Sequence, residues 1–361
     1  MKEPSPPSEP EVTASGQGGL PEEGRSSGAP RPIKKRVLFA AKLLLSLALI
    51  AWIIGAVDWS DIGERIAQMS WVFIAVAILI LVQGVVCSAM KWQQLLAVHG
   101  APYRLWTLIR WYFIATFFGQ FLPSMIGGDA YRIYRTLDNP AGKMSAVLAI
   151  FVERATGLLA LVSMGWLAGV IYYGQTGDVV ARWLMIVGSC GAVFAIASFV
   201  VIIKFKLLGK IARAPKCPKN VRALIERAWE YRRSPWRVTA VCLLSLWFHA
   251  TRVGIYAMLF WALGEPQGVI PVLIAITLTT VVSMIPISLN GYGLVDGSFI
   301  LLMVGFGASE EAATAVMVLF RGTTIPVSAV GGVFYFADNG SKPPRKSEAA
   351  GAIRAEERTG E

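Results

Sequence analysis

The chain has 361 residues, of which 55% are apolar and 16% charged, against roughly 25% charged in an average soluble domain. This composition excludes an ordinary water-soluble globule and points to an all-α fold, a polytopic membrane helix bundle. The net charge of +11 then reads as a topology signal rather than as affinity for nucleic acid.

The 57 charges are unevenly placed: 11 lie in 1–36, 13 in 204–237 and 10 in 337–361, leaving 23 for the remaining positions. In chain order, 1–34 is a disordered tail, with seven of the 19 prolines in its first 32 residues and no apolar periodicity. The body, 35–336, carries apolar segments at 37–57, 71–90, 106–124, 144–172, 181–203, 238–263, 269–289 continued at 294–307, and 311–336. Between the first two, Asp58-Trp59-Ser60-Asp61 reads as a helix start followed by a short amphipathic piece. The first run follows Lys34, Lys35 and Arg36, so it is expected to stay as a membrane helix. A basic loop at 204–237 and a polar tail at 337–361 complete the chain. Trp229, Tyr231 and Trp236 in that loop suit contact with anionic lipid. Trp92, Trp106, Trp111, Tyr172 and Tyr173 read as interfacial belt residues.

Orientation follows from the basic residues. The Lys and Arg of the N-terminal flank, the 204–237 loop and the C-terminal tail all ask for the cytoplasm. Five full crossings before residue 204 would put the basic loop outside, so one segment must enter and return on the same face. The 106–124 segment suits this, because it runs into Pro123-Ser124-Met125-Ile126-Gly127-Gly128-Asp129. A second break stands at Pro286-Ile287-Ser288-Leu289-Asn290-Gly291-Tyr292-Gly293. Paired Gly/Pro interruptions in the two halves of a membrane protein point to a transport site; ordinary kinks or surface loops are the alternative.

Charges inside apolar runs need partners or water. Asp129 and Arg132 share a helix face and can pair, whereas the adjacent Glu153 and Arg154 diverge by about 100° and need separate partners. With Asp296 and Arg321, these residues are expected to converge on a polar cavity between the breaks, where a guanidinium can grip phosphate through two hydrogen bonds. Structural ion pairs, or a solvated loop at 129–135, would account for the same residues. Four cysteines without a C-x-x-C pair and only two histidines give no basis for a metal or another cofactor. No Walker motif or G-x-S-x-G elbow appears.

The stretch Phe117-Phe118-Gly119-Gln120-Phe121-Leu122-Pro123-Ser124-Met125-Ile126-Gly127-Gly128-Asp129-Ala130-Tyr131-Arg132 resembles the hallmark of the lysylphosphatidylglycerol synthase transmembrane-region family, the flippase-like membrane proteins. Val152-Glu153-Arg154-Ala155-Thr156-Gly157 and Lys91-Trp92 before Leu95-Leu96 resemble two further family segments. At the second break Pro286, Ser288, Gly291 and Gly293 match, but Val295-Asp296 replaces the family's basic-Glu pair. The resemblance implies a flippase-like domain over 35–336 that moves an anionic or headgroup-modified lipid between leaflets of a bacterial or archaeal inner membrane, with both termini cytoplasmic. With only about 25 residues after the last helix, no synthase half and no enzymatic activity are expected. The alternatives are an integral-membrane glycosyl- or acyl-transferase, or a non-transporting partner of a lipid-pathway enzyme. The expected partner is a membrane lipid, an anionic phospholipid or a polyprenyl-linked lipid, and not a nucleic acid. A separate lipid-modifying enzyme is the alternative protein partner, and the oligomeric state stays open.

Overall fold

A computed structural model describes residues 59–101, 103–121, 127–137, 143–177, 218–283 and 293–338. The segments expected at 37–57 and 181–203, both polar tails beyond Asp338 and before Trp59, and the first part of the basic loop lie outside the described residues. Every regular element among the described residues is helical: α1 (Trp59–Gln68), α2 (Trp71–Val98), α3 (Leu105–Phe121), α4 (Gly127–Arg135), α5 (Lys143–Thr176), α6 (Lys219–Glu230), a 3-10 turn (Tyr231–Arg233), α7 (Pro235–Ala262), α8 (Val269–Ser283), α9 (Leu294–Gly305) and α10 (Glu310–Ala337).

Helices α2, α5, α7 and α10 are long and apolar enough to cross a bilayer. At 1.5 Å per residue, 28 residues reach about 42 Å, more than the roughly 30 Å of hydrocarbon. Together with the apolar α8 and α9, they make this a multi-pass membrane protein. Helix starts are set by side chains: the Ser70 hydroxyl accepts from Val72 N–H at 3.4 Å and that of Ser309 from Ala312 N–H at 3.2 Å. Glu265 in turn accepts the Ser309 hydroxyl at 2.7 Å, tying the start of α10 to the end of α7.

Helix α2 is the central post, packed against α3, α5, α7 and α10, while α10 also lies along α3 and α8 along α5 and α9. Small residues set these approaches, as expected where lipid supplies no hydrophobic drive between helices. A methyl group at Gly331 would strike the Phe113 carbonyl, one at Gly165 the Thr277 side chain, and one at Gly128 the Ala115 carbonyl.

Several expectations from sequence are corrected here. The second segment does not stop at residue 90; its helix continues to Val98, because Lys91 and Trp92 are 4% and 0% exposed and the polar side chains fold into the bundle. Trp92 and Trp111 are core residues, not belt residues, whereas Trp106 is 62% exposed as a belt residue should be. Tyr231 does not face lipid either. It is buried, with the His99 ring edge-on at 4.9 Å. Arg110 closes an ion pair with Asp338.

His99 also fastens the end of α2 to α6. Its Nδ1 donates to Glu230 Oε2 at 2.7 Å, while Nε2 is buried without a partner, which suits the neutral ring and not the imidazolium. Burial pushes the His99 pKa below the ordinary 6.5, against the opposing pull of Glu230. The unfolded chain therefore takes up a proton below pH 6.5 that the folded chain resists, so this contribution to stability is present above 6.5 and is lost as pH falls below it. Thermal unfolding in detergent should show a drop in midpoint from pH 7 to 5 that is smaller in His99→Gln; equal drops would refute the assignment.

Candidate functional site

Among the described residues, two groups of charged side chains sit within the bundle. The first joins α3, α4 and α5. Arg132 pairs with Glu153, and the second Glu153 oxygen accepts from the Tyr112 hydroxyl at 3.0 Å. The Arg132 guanidinium lies over the rings of Trp92 at 4.3 Å and Tyr112 at 4.5 Å. Asp129 stands 3.5 Å from Arg132 and accepts from Arg154 Nε at 2.7 Å. Arg132 and Glu153 are 3% and 5% exposed, so they form a buried pair, not a solvated loop. Arg154 is largely exposed at its side chain, and its bond to Asp129 carries little stability by itself.

The second group joins α9 and α10. Arg321 donates from Nε and Nη2 to Asp296 Oδ1 at 3.0 and 2.8 Å. The other Asp296 oxygen accepts from Gly293 N–H at 3.0 Å and so caps α9. Gly293 has φ +78°, a left-handed turn that favours glycine. The acid at this position thus both starts the helix after the second break and holds an arginine.

Between α2, α3, α7 and α10 lies a cavity of about 340 Å³. Its lining includes the polar Tyr112, Gln120, Arg252 and Arg321 and the apolar Val85, Phe248 and Phe320. Of the six residues expected to meet in one cavity, only Arg321 lines it. Asp129, Arg132, Glu153 and Arg154 form a separate network behind Tyr112, which belongs to both. Pro123, Pro286, Ser288, Asn290 and Gly291 lie outside the described residues; Gly127 and Gly128 open α4, and Gly293 precedes α9.

Sequence reading left out Tyr112, Trp92 and Arg252 as site residues. Tyr112 and Trp92 approach Arg132 from helices distant in the chain. Arg252 had a visible signal, a charge in mid-helix without an acid one turn away. Among the described residues it forms no ion pair, its Nε is buried without a hydrogen-bond partner, and its guanidinium lies 5.6 Å from the Phe320 ring.

The sequence profile of the family described as "Lysylphosphatidylglycerol synthase TM region" matches residues 39–331. The chain belongs to that family. No curated protein is similar enough to count as a match.

Removing one partner of a buried ion pair typically costs about 3–5 kcal/mol, and replacing both by apolar groups much less. Glu153→Leu alone should therefore destabilise the protein strongly, and Arg132→Met with Glu153→Leu should recover most of the loss in detergent unfolding. A double variant no more stable than the single would refute a pairing role.

Proposed function

From membership of this family, we propose that the chain is a transporter and not an enzyme, moving an anionic or headgroup-modified lipid between leaflets of the inner membrane with both termini in the cytoplasm. The supporting observation is the cavity among membrane helices, lined by apolar side chains together with Arg252 and Arg321, the latter paired with Asp296. An excess of guanidinium charge in such a place suits an anionic headgroup, because its fork geometry matches phosphate oxygens. About 340 Å³ is at the small end of ligand sites; it holds a headgroup while the chains stay in hydrocarbon.

In this reading α3 with α4, and α8 with α9, form two re-entrant limbs. Helix α3 packs directly on α4 across the first break, and α8 on α9 across the second. In this reading the Arg132–Glu153 and Asp129–Arg154 pairs hold the first limb in place, and Asp296 holds the second. A transferase draws less support. Both oxygens of Glu153 are engaged by Arg132 and Tyr112, and both of Asp129 by Arg132 and Arg154, which leaves neither carboxylate available as a general base.

Vesicles containing the purified chain should expose fluorescent phosphatidylglycerol to an external quencher faster than protein-free vesicles do. Arg252→Gln should slow this by about tenfold, the scale of one lost charge-assisted hydrogen bond. A wild-type rate equal to that of empty vesicles would sink the transport reading.

A further inference from the structure

We propose that Lys91 forms a second anion site, reached from the Arg252 cavity past the Phe248 ring, for the phosphate group of an anionic ligand. The proposal rests on the translocation reading and adds a route to it.

Gly84, Ser88 and Lys91 are spaced by four and three residues and so share one face of α2. Gly84 and Ser88 line the cavity, and Lys91 stands one turn beyond, about 5 Å further along the axis. Phe248 lies at the boundary. Its ring lines the cavity and receives the Lys91 ammonium at 4.8 Å from its centre. Gly84 makes room for the ring, since a methyl there would meet Phe248 Cε2 at 3.2 Å.

Lys91 is 4% exposed, and no carboxylate among the described residues lies within ion-pair distance. One aromatic face offsets only part of the cost of holding an ammonium away from water in a membrane helix. A counter-anion would make up that deficit.

A second observation comes from α7, which runs antiparallel to α2: Cys87 Sγ donates to the Leu244 carbonyl at 3.3 Å and Arg237 to Gln94 at 3.0 Å. Ser245, His249 and Arg252 share one face of α7. Ser245 Oγ, His249 Nδ1 and Arg252 Nε are all buried without a hydrogen-bond partner. Buried polar atoms are ordinarily bonded; the Ser245 hydroxyl and Arg252 Nε–H are donors, so these two orphans on the face that leads from the cavity toward the ammonium mark a place for a group that brings its own acceptors and charge. Phosphate oxygens meet that description, whether from a lipid headgroup or from free phosphate.

The test uses the full chain in detergent, titrated with dioleoylphosphatidylglycerol and separately with inorganic phosphate, for wild type, Lys91→Gln, Lys91→Arg, Arg252→Gln and the Lys91→Gln/Arg252→Gln pair. Thermal unfolding is followed for each. Each single loss of charge should weaken binding by about tenfold and the pair should abolish it, while Lys91→Arg stays within about threefold of wild type. Phosphate binding that depends on Lys91 identifies a small-anion site; binding of the lipid alone identifies a headgroup site. Lys91→Gln binding both probes as wild type does, or wild type binding neither, overturns the proposal. Lipid movement in vesicles is read independently: a wild type that binds through Lys91 but moves no lipid overturns the translocation reading and leaves the anion site standing.

Discussion

A membrane interior offers no water to an unpaired charge or a bare backbone amide, and the architecture of this protein follows from meeting that condition inside the bundle. The Arg132–Glu153 pair shows it most directly. The guanidinium is held by a carboxylate on α5, lies over Trp92 of α2 and Tyr112 of α3, and stands beside Asp129 of its own helix. Four helices converge on one charge. The short helix α4, with only nine residues, is held both by this convergence and by its packing along α3.

The same condition explains why glycine appears where helices meet. With lipid as apolar as the side chains, association depends on close packing. Gly331 brings α10 against the backbone of α3, and Gly128 brings α4 against the same helix. Gly128 therefore has a packing reason beyond its place in a Gly-Gly-Asp turn: its contact with Ala115 sets Asp129 within reach of Arg154. Packing and ion pairing at the first break act on the same few residues.

Against this pattern of satisfied charges, the cavity wall and the row behind it stand out. Asp296 answers Arg321 twice through one oxygen and uses the other to start a helix. Arg252 and Lys91 have aromatic rings for company and no acid among the described residues. The fold neutralises the buried Arg132 thoroughly and leaves the half-buried Arg252 and the buried Lys91 without a carboxylate among the described residues.

What the amino-acid sequence determined by itself was local. Membrane class and the helices at 143–176, 235–262 and 310–337, to within a few residues, were legible, because hydropathy acts over a window shorter than one helix. The Asp129–Arg132 pair and the divergence of Glu153 from Arg154 were legible too, since helical spacing alone dictates them. Which partner each diverging residue finds was not. Tyr112 and Glu153 are 41 positions apart, and Asp296 and Arg321 are 25 apart across two helices. Trp92 and Trp111 read as interfacial because amphipathic rings favour that layer, yet three-dimensional packing used Trp92 to bury Arg132 and set Trp111 against the Arg135 guanidinium. Tertiary structure alone separated the charged residues into a locked network and an open, cationic cavity, because only the docking of α2, α3, α7 and α10 decides which charges meet an acid and which do not.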